Sequence, residues 1–186
     1  MKNLFFGLFL ISSLSLHAED HIQNTLIEKK STDWKIHTLM SVGDHIIKNN
    51  YRFVGIPDGL GVIKENNSKV KIYMNHEIAN DKGISRSHGG KGAFVSEWTL
   101  DLNSLKIISG EDLIKKVITW NRDKKIFEVS RNENINRLCS ADLPKKSAFY
   151  NSKNKKGFDG RIFMSGEEDR EGGRAFAHII SGKEKG

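Results

Sequence analysis

Four side chains of this sequence are suited to holding a metal ion: Glu77, Cys139, Glu167 and Glu168. Carboxylate oxygens suit hard ions such as calcium, whereas a thiolate prefers softer or redox-active metals, so a site using both would be mixed. Other polar groups stand close by in sequence. Asn75-His76 precedes Glu77, with Arg86 and His88 in the stretch beyond it; Ser140 and Asp142 follow Cys139, and Asp169 follows Glu168. Each cluster also has a plainer reading. Asn-His-Glu after a strand is commonly a hydrogen-bonded turn, Glu-Glu-Asp a solvated charge run, and a lone cysteine buried filler. No zinc pattern, Gly-x-Ser-x-Gly elbow or Walker loop is present, which removes common serine hydrolases and nucleotide-driven enzymes.

What links these residues is an internal repeat. Lys71-Ile-Tyr-Met-Asn-His-Glu77 returns 90 positions later as Arg161-Ile-Phe-Met-Ser-Gly-Glu167, and each copy is followed by a glycine and an apolar run, Gly92 to Val95 and Gly173 to Ala177. Such self-similarity marks one supersecondary unit used more than once and stacked on its own copies. It is expected to put Glu77 and Glu167 at the same address in each copy, where they would help form a ring of metal ligands.

The elements expected to carry them are strands. Val70 to Met74 reads as a short strand, and Phe94 to Asp101 alternates, with Phe94, Ser96, Trp98 and Leu100 on one face. Turn residues from Asp101 to Ser104 lead to a returning strand from Leu105, making a hairpin. Pro57-Asp58-Gly59 reads as a turn, Ala79 to Gly92 as a polar, glycine-rich loop, Phe127 to Asn136 as polar, and Asn136 to Pro144 as irregular. Glu111 to Trp120 fits either a helical turn or a strand. No helical period persists beyond the N-terminus, so the expected class is all-β. A repeat step of 90 residues equals about two propeller blades of ~40–50 residues, which predicts a partial β-propeller of about three blades. A small β-sandwich is the alternative.

Residues 1–18 have the layout of a secretory signal peptide: basic Lys2, an apolar run from Leu4 to Leu16, and small Ala18 before Glu19-Asp20. The run is shorter than the ~20 apolar residues of a membrane span, so export to the periplasm or beyond is expected, with no stable membrane insertion after cleavage; an uncleaved inner-membrane anchor is the alternative. Residues 19–50 are read as an N-terminal arm and first strand region, and 51–186 as the N-terminal portion of the propeller. The single Cys139 rules out an intramolecular disulfide. The 30 Lys and Arg against 23 Asp and Glu give +7, but the excess is scattered over short runs such as Lys124-Lys125 without an aromatic stripe. Nucleic acid is not an expected partner, while anionic phosphate esters are compatible with the charge.

From about residue 50 to 182 the sequence resembles the PhoX-type alkaline phosphatases, a bacterial family. The resemblance rests on Ile56-Pro57-Asp58-Gly59-Leu60-Gly61, Tyr73 to Glu77, Gly92 to Ser96, Ser109 to Ile114, Arg137-Leu138-Cys139-Ser140, Gly166-Glu167-Glu168 and Gly173 to Phe176. It implies an exported propeller whose axis carries iron and calcium, acting on a small phosphorylated substrate. Carried over by position, Cys139 would be the iron thiolate, and Glu77 with Glu167 or Glu168 the carboxylate ligands. Two departures stand out. The residues after the cysteine are Ser140-Ala141-Asp142 rather than glycine-rich, and the chain is much shorter than a family member. The chain is therefore expected to be the first part of such an enzyme and inactive alone. A calcium-binding, non-catalytic propeller and another esterase or lactonase on the same scaffold are the alternatives.

Overall fold

The computed structural model describes residues 33–169 and 171–186. The expected signal peptide and most of the N-terminal arm lie outside the described residues. The chain divides into two units, 1–38 and 39–186, and residues 33–38 hold no strand.

The second unit is all-β. Two short strands, β1 (His45–Ile46) and β2 (Tyr51–Arg52), form a hairpin. A four-stranded antiparallel meander comes next: β3 (Pro57–Lys64), β4 (Lys69–His76), β5 (Phe94–Asp101) and β6 (Lys106–Asp112). β7 (Val117–Asn121) and β8 (Ile126–Ser130) pair with each other. β9 (Leu138–Asp142), β12 (Ile162–Glu167) and β13 (Ala175–Ile179) make a three-stranded sheet with β12 in the middle. Between β9 and β12 come a single 3-10 turn, Lys146–Ala148, and a small hairpin of β10 (Tyr150–Asn151) and β11 (Lys156–Gly157). Among the described residues no α-helix occurs, no sheet closes into a barrel or ring, and no helix is long and apolar enough to cross a membrane.

The expected hairpin from Phe94 is present as β5 and β6, and β5 is buried along nearly its whole length because it lies inside the larger sheet. Three local expectations are corrected. Asn136 to Pro144 holds strand β9, and the polar stretch after Ile126 holds β8; both pair through backbone groups that their mixed side chains do not advertise. Pro57-Asp58-Gly59 is the bulged start of β3 and not a turn, with the pairing shifting between Pro57 and Leu60. The 90-residue step spans one sheet-to-sheet step that contains the separate β7–β8 and β10–β11 hairpins, and each of the two larger sheets carries one copy of the repeat.

Hydrogen bonds reveal how the two larger sheets correspond. In β4 the even residues bond toward β5, as the Leu102 N–H to Ser68 C=O bond of 2.7 Å shows, and odd residues bond toward β3, as in Glu77 N–H to Ile56 C=O at 2.8 Å. In β12 the parity is reversed. Glu167 N–H donates to Arg174 C=O at 2.9 Å on the β13 side, and Glu168 N–H to Arg137 C=O at 2.9 Å on the β9 side. The structural counterpart of each β4 residue is therefore 91 positions on, one more than the sequence repeat. Pairings confirm it: Pro57↔His76, Leu60↔Met74 and Gly61↔Tyr73 match Leu138↔Glu167, Ala141↔Ser165 and Asp142↔Met164, with a bulge at the same place in each sheet.

This shift decides which faces meet. Since successive strand residues point to opposite faces, a one-residue slip exchanges the faces. Tyr73 and Asn75 on one face of the four-stranded sheet touch Phe163 and Ser165. The rings lie 5.8 Å apart, and Ser165 Oγ donates to Asn75 Oδ1 at 2.8 Å. The counterparts of Phe163 and Ser165 are Ile72 and Met74, which lie on the other face of the four-stranded sheet and pack with Ile46, Phe53 and Trp98. The layers thus stack front to back: the N-terminal hairpin, the four-stranded sheet, then the three-stranded sheet. Between the two sheets lies the main core of Tyr73, Val95, Leu113, Ile135, Leu138, Phe163 and Ile180.

Close approach at this interface depends on Gly59. A Cβ there would stand 2.5 Å from Ala141 Cβ and 2.6 Å from the Cys139 carbonyl, so one of the two backbones would have to move. Gly59→Ala is expected to lower stability by about 1–3 kcal/mol, the usual cost of overpacking. Gly172→Ala, whose Cβ would meet nothing nearer than 4.0 Å, should leave the denaturation midpoint unchanged.

Candidate metal-ligand seam

The strands deliver the candidate residues to one end of the two sheets. Glu77 follows the last residue of β4, Glu167 ends β12, Glu168 follows it, and Cys139 lies at the start of β9. Arg137, immediately before β9, joins them. Its Nε and Nη2 donate to Glu77 Oε1 at 2.9 and 2.7 Å, and Nη2 lies 2.6 Å from Glu168 Oε2. Its backbone is tied on both sides as well, donating to Ile78 C=O and accepting from Glu168 N–H. Arg137 holds a φ of +33°, which a non-glycine residue adopts only when its surroundings enforce it. The guanidinium is held still more firmly in its charged form, first by the Glu77 hydrogen bond and then by the charge of Glu168.

Glu168, not Glu167, is therefore the counterpart of Glu77: each carries the N–H that closes onto the residue before a strand, Ile56 in one sheet and Arg137 in the other. Glu167 corresponds to His76; His76 is buried, the Glu167 side chain is enclosed, and both organise backbone. Glu167 Oε1 accepts from Asn136 N–H at 2.7 Å, and Oε2 accepts from Arg174 Nε at 2.7 Å and from Arg174 N–H at 3.2 Å. Arg174 also pairs with Glu133. Burial pushes the Glu167 carboxyl upward, but Arg174 and the Asn136 amide outweigh it, and the group sits below its ordinary value.

Cys139 is half-buried, with Sγ 4.0 Å from the Gly166 carbonyl. Asn75, fully buried, donates to Ser140 C=O at 3.0 Å, so β9 is anchored across the interface beside the cysteine. The polar residues of the 79–92 loop serve packing. Arg86 lies over the Phe94 ring, 3.5 Å from its centroid, His76 stacks on the same ring at 4.1 Å, and His88 Nε2 meets Glu133 C=O at 3.0 Å. Sequence reasoning missed Arg137 and Arg174. The signal available was Arg137 two residues before Cys139 and Arg174 seven after Glu167, but only the fold shows which glutamate each one reaches.

As a donor set, Glu77 and Glu168 fit a cation, because one already sits between them in the form of a guanidinium. Glu167 has both oxygens occupied. Among the described residues no three His, Cys, Asp or Glu side chains are gathered as a ligand group. No family model, curated protein or solved structure matches the chain.

Two histidines give the fold an acid limit. Burial lowers His76 to about 4, against a smaller opposing effect of the Val54 carbonyl, and burial lowers His178 to about 4. Both are neutral when folded, while the unfolded chain protonates them near the ordinary value of 6.5. Their contribution is intact above about pH 6.5 and is lost as pH falls toward 4, at up to about 1.4 kcal/mol per pH unit for each. Thermal unfolding followed from pH 7.5 to 4.5 should show a falling melting temperature, with a weaker fall in His178→Phe. Separately, Glu167→Ala is expected to cost about 1–3 kcal/mol, because it removes the charged hydrogen bonds to Arg174 and the Asn136 amide while Arg174 keeps Glu133. Urea titration would show that loss.

Proposed function

We propose that this chain carries the metal-holding corner of a metal-dependent phosphomonoester hydrolase of the PhoX type, acting outside the cytoplasm on a small phosphorylated substrate. The supporting observation is the meeting of Glu77 and Glu168, which close equivalent strands in successive sheets, on one cationic centre two residues before Cys139. The front-to-back stacking of like sheets supports the propeller reading that accompanies it.

In this reading Glu77 and Glu168 would hold calcium, Cys139 would offer its thiolate to iron, and Glu167 stays with Arg174 to fix the end of β12. The metals would neutralise phosphoryl oxygens and generate an oxygen nucleophile. Arg137 keeps a planar fork suited to bidentate contact with phosphate oxygens. Its side chain is 47% exposed, so it has room to swing out.

The seam offers fewer oxygens than the six to eight that calcium takes. The 186-residue chain alone is therefore expected to release no phosphate from p-nitrophenyl phosphate, even with iron and calcium supplied. Elemental analysis of the metal-loaded, desalted protein tests the reading. It should retain calcium that is lost in Glu77→Gln and Glu168→Gln, and iron that is lost in Cys139→Ala. Calcium without iron would favour a non-catalytic binding role, and retention of neither metal would overturn the proposal.

A further inference from the structure

The register of the two larger sheets sorts their turns between two ends. Glu77, Arg137 and Glu168 lie at one end. At the other lie the β3–β4 turn (65–68), the β5–β6 turn (102–105) and the long connection 143–161 from β9 to β12, as the pairs Lys64↔Val70, Lys69↔Asp101 and Asp142↔Met164 require. Lysines that look scattered in the sequence gather there. Lys64, Lys106, Lys145, Lys153, Lys155 and Lys156 are exposed, with no ion-pair partner among the described residues. Arg161 has no carboxylate partner there either, and its Nε is buried without a hydrogen bond. The acidic groups at this end do little to offset them. Asp159 meets Lys146, and Asp101 accepts from the Asn103 and Ser104 amides of its own turn at 2.9 and 2.8 Å. At the seam end, by contrast, Arg86, Arg137 and Arg174 are each paired with carboxylates.

The long connection is an addition that the first sheet lacks. Where the β3–β4 turn occupies 65–68, its counterpart runs from 143 to 161 and holds the 3-10 turn and the β10–β11 hairpin. Residues 151–159 are all exposed. The tip is nonetheless ordered by its own bonds: Asn151 Oδ1 accepts from the Lys153 and Asn154 amides at 3.0 and 3.4 Å, and Lys155 takes a φ of +54°. Lys153, Lys155 and Lys156 therefore stand on a hydrogen-bonded turn that reaches into solvent.

We propose that this basic end docks on the surface of a membrane containing anionic phospholipid. Uncompensated lysines on exposed turns are attracted collectively to headgroup phosphates, and that attraction needs no pocket. The residue types favour a lipid surface over a nucleic acid. Nearly all the charge comes from lysine, a hydrated point charge, and little from the arginine fork that reads phosphate and bases. Base stacking uses successive free aromatic faces, whereas in this connection Phe149 and Tyr150 are half-buried and only Phe158 is exposed. A single exposed phenylalanine among lysines suits the boundary between headgroups and acyl chains. Docking also orients the molecule. β4 has 8 residues and so spans about 26 Å. The carboxylates of the seam thus stand far beyond the ~8 Å over which salt screens the negative surface at physiological ionic strength. This inference does not depend on the metal reading.

Co-sedimentation of the intact 186-residue protein with lipid vesicles tests it. Vesicles of phosphatidylcholine mixed with phosphatidylglycerol should bind the protein at low salt and release it at high salt, and pure phosphatidylcholine vesicles should bind it at least tenfold more weakly. The apolar run at residues 4–16 is common to every variant, and binding through it would ignore both salt and lipid charge. Lys153→Gln, Lys155→Gln and Lys156→Gln together should raise the half-saturating concentration of anionic lipid more than tenfold. Lys82→Gln, Lys91→Gln and Arg131→Gln remove the same net charge from loops at the seam end and should change it less than twofold. Equal binding to neutral vesicles, no binding at all, or an equal loss in both triple variants would overturn the proposal. Oligodeoxythymidylate held by the same three lysines in preference to lipid would assign this end to single-stranded nucleic acid and overturn it equally.

Discussion

The arrangement of this molecule depends on one residue between two sheets. Arg137 has its backbone bonded to Ile78 on one side and Glu168 on the other, while its guanidinium spans Glu77 and Glu168. Those contacts fix where β9 begins, hence the bulge and register of β9 against β12, hence which side chains of β12 face the four-stranded sheet. A one-residue change would turn Phe163, Ser165 and His178 away from the core and bring Met164 and Ala177 in. The positive φ at Arg137 is the local cost of meeting all these bonds at once.

The interface that this register creates is polar at its centre, and Asn75, Ser165 and His178 find partners across it. Asn75 donates to β9 and accepts from Ser165, which also meets His178 Nε2 at 3.1 Å. On the other face His76 lies between the Val54 carbonyl and Ser96 Oγ, and Trp98 Nε1 donates to the same hydroxyl. Glu97, buried against the first interface, is held by Lys71 at 2.9 Å and Lys185 at 2.6 Å. Such networks allow one stacking of the sheets and penalise others, because a slip would leave several buried groups unpaired. They also show why His76 and His178 carry structure: both rings are enclosed, with partners on the backbone or on neighbouring hydroxyls.

Much of the fold was legible in the sequence. The alternation of Phe94 to Asp101 located the central strand, and the repeated Ile-aromatic-Met string located β4 and β12. The repeat misled by one position. Similar side chains at a 90-residue spacing suggested Glu77 with Glu167, whereas hydrogen-bond parity pairs Glu77 with Glu168. Period-2 patterns cannot resolve such a shift when both faces of a strand are covered, as in β4, where Ile72 and Tyr73 are packed on opposite sides. β9 was unreadable because Leu-Cys-Ser-Ala-Asp has neither alternation nor β-branched residues; its place comes from pairing with β12 and from Gly59 at its back. The arginines of the seam were visible as letters, but their partners lie 30 to 60 residues away in the chain or across a turn.

The central claim is that Glu77 and Glu168 act as a pair through Arg137, and a double-mutant cycle tests it most directly. Unfolding free energies would be measured for Glu77→Gln, Glu168→Gln and the double variant, in the natural background and again with Arg137→Ala. The account predicts non-additive losses when Arg137 is present. Without it the coupling should reverse sign, because two adjacent carboxylates with no cation between them repel and neutralising either one relieves both. Additive effects in both backgrounds would show that the two glutamates do not share a centre, and would contradict both the stacking at this seam and the metal-holding role built on it.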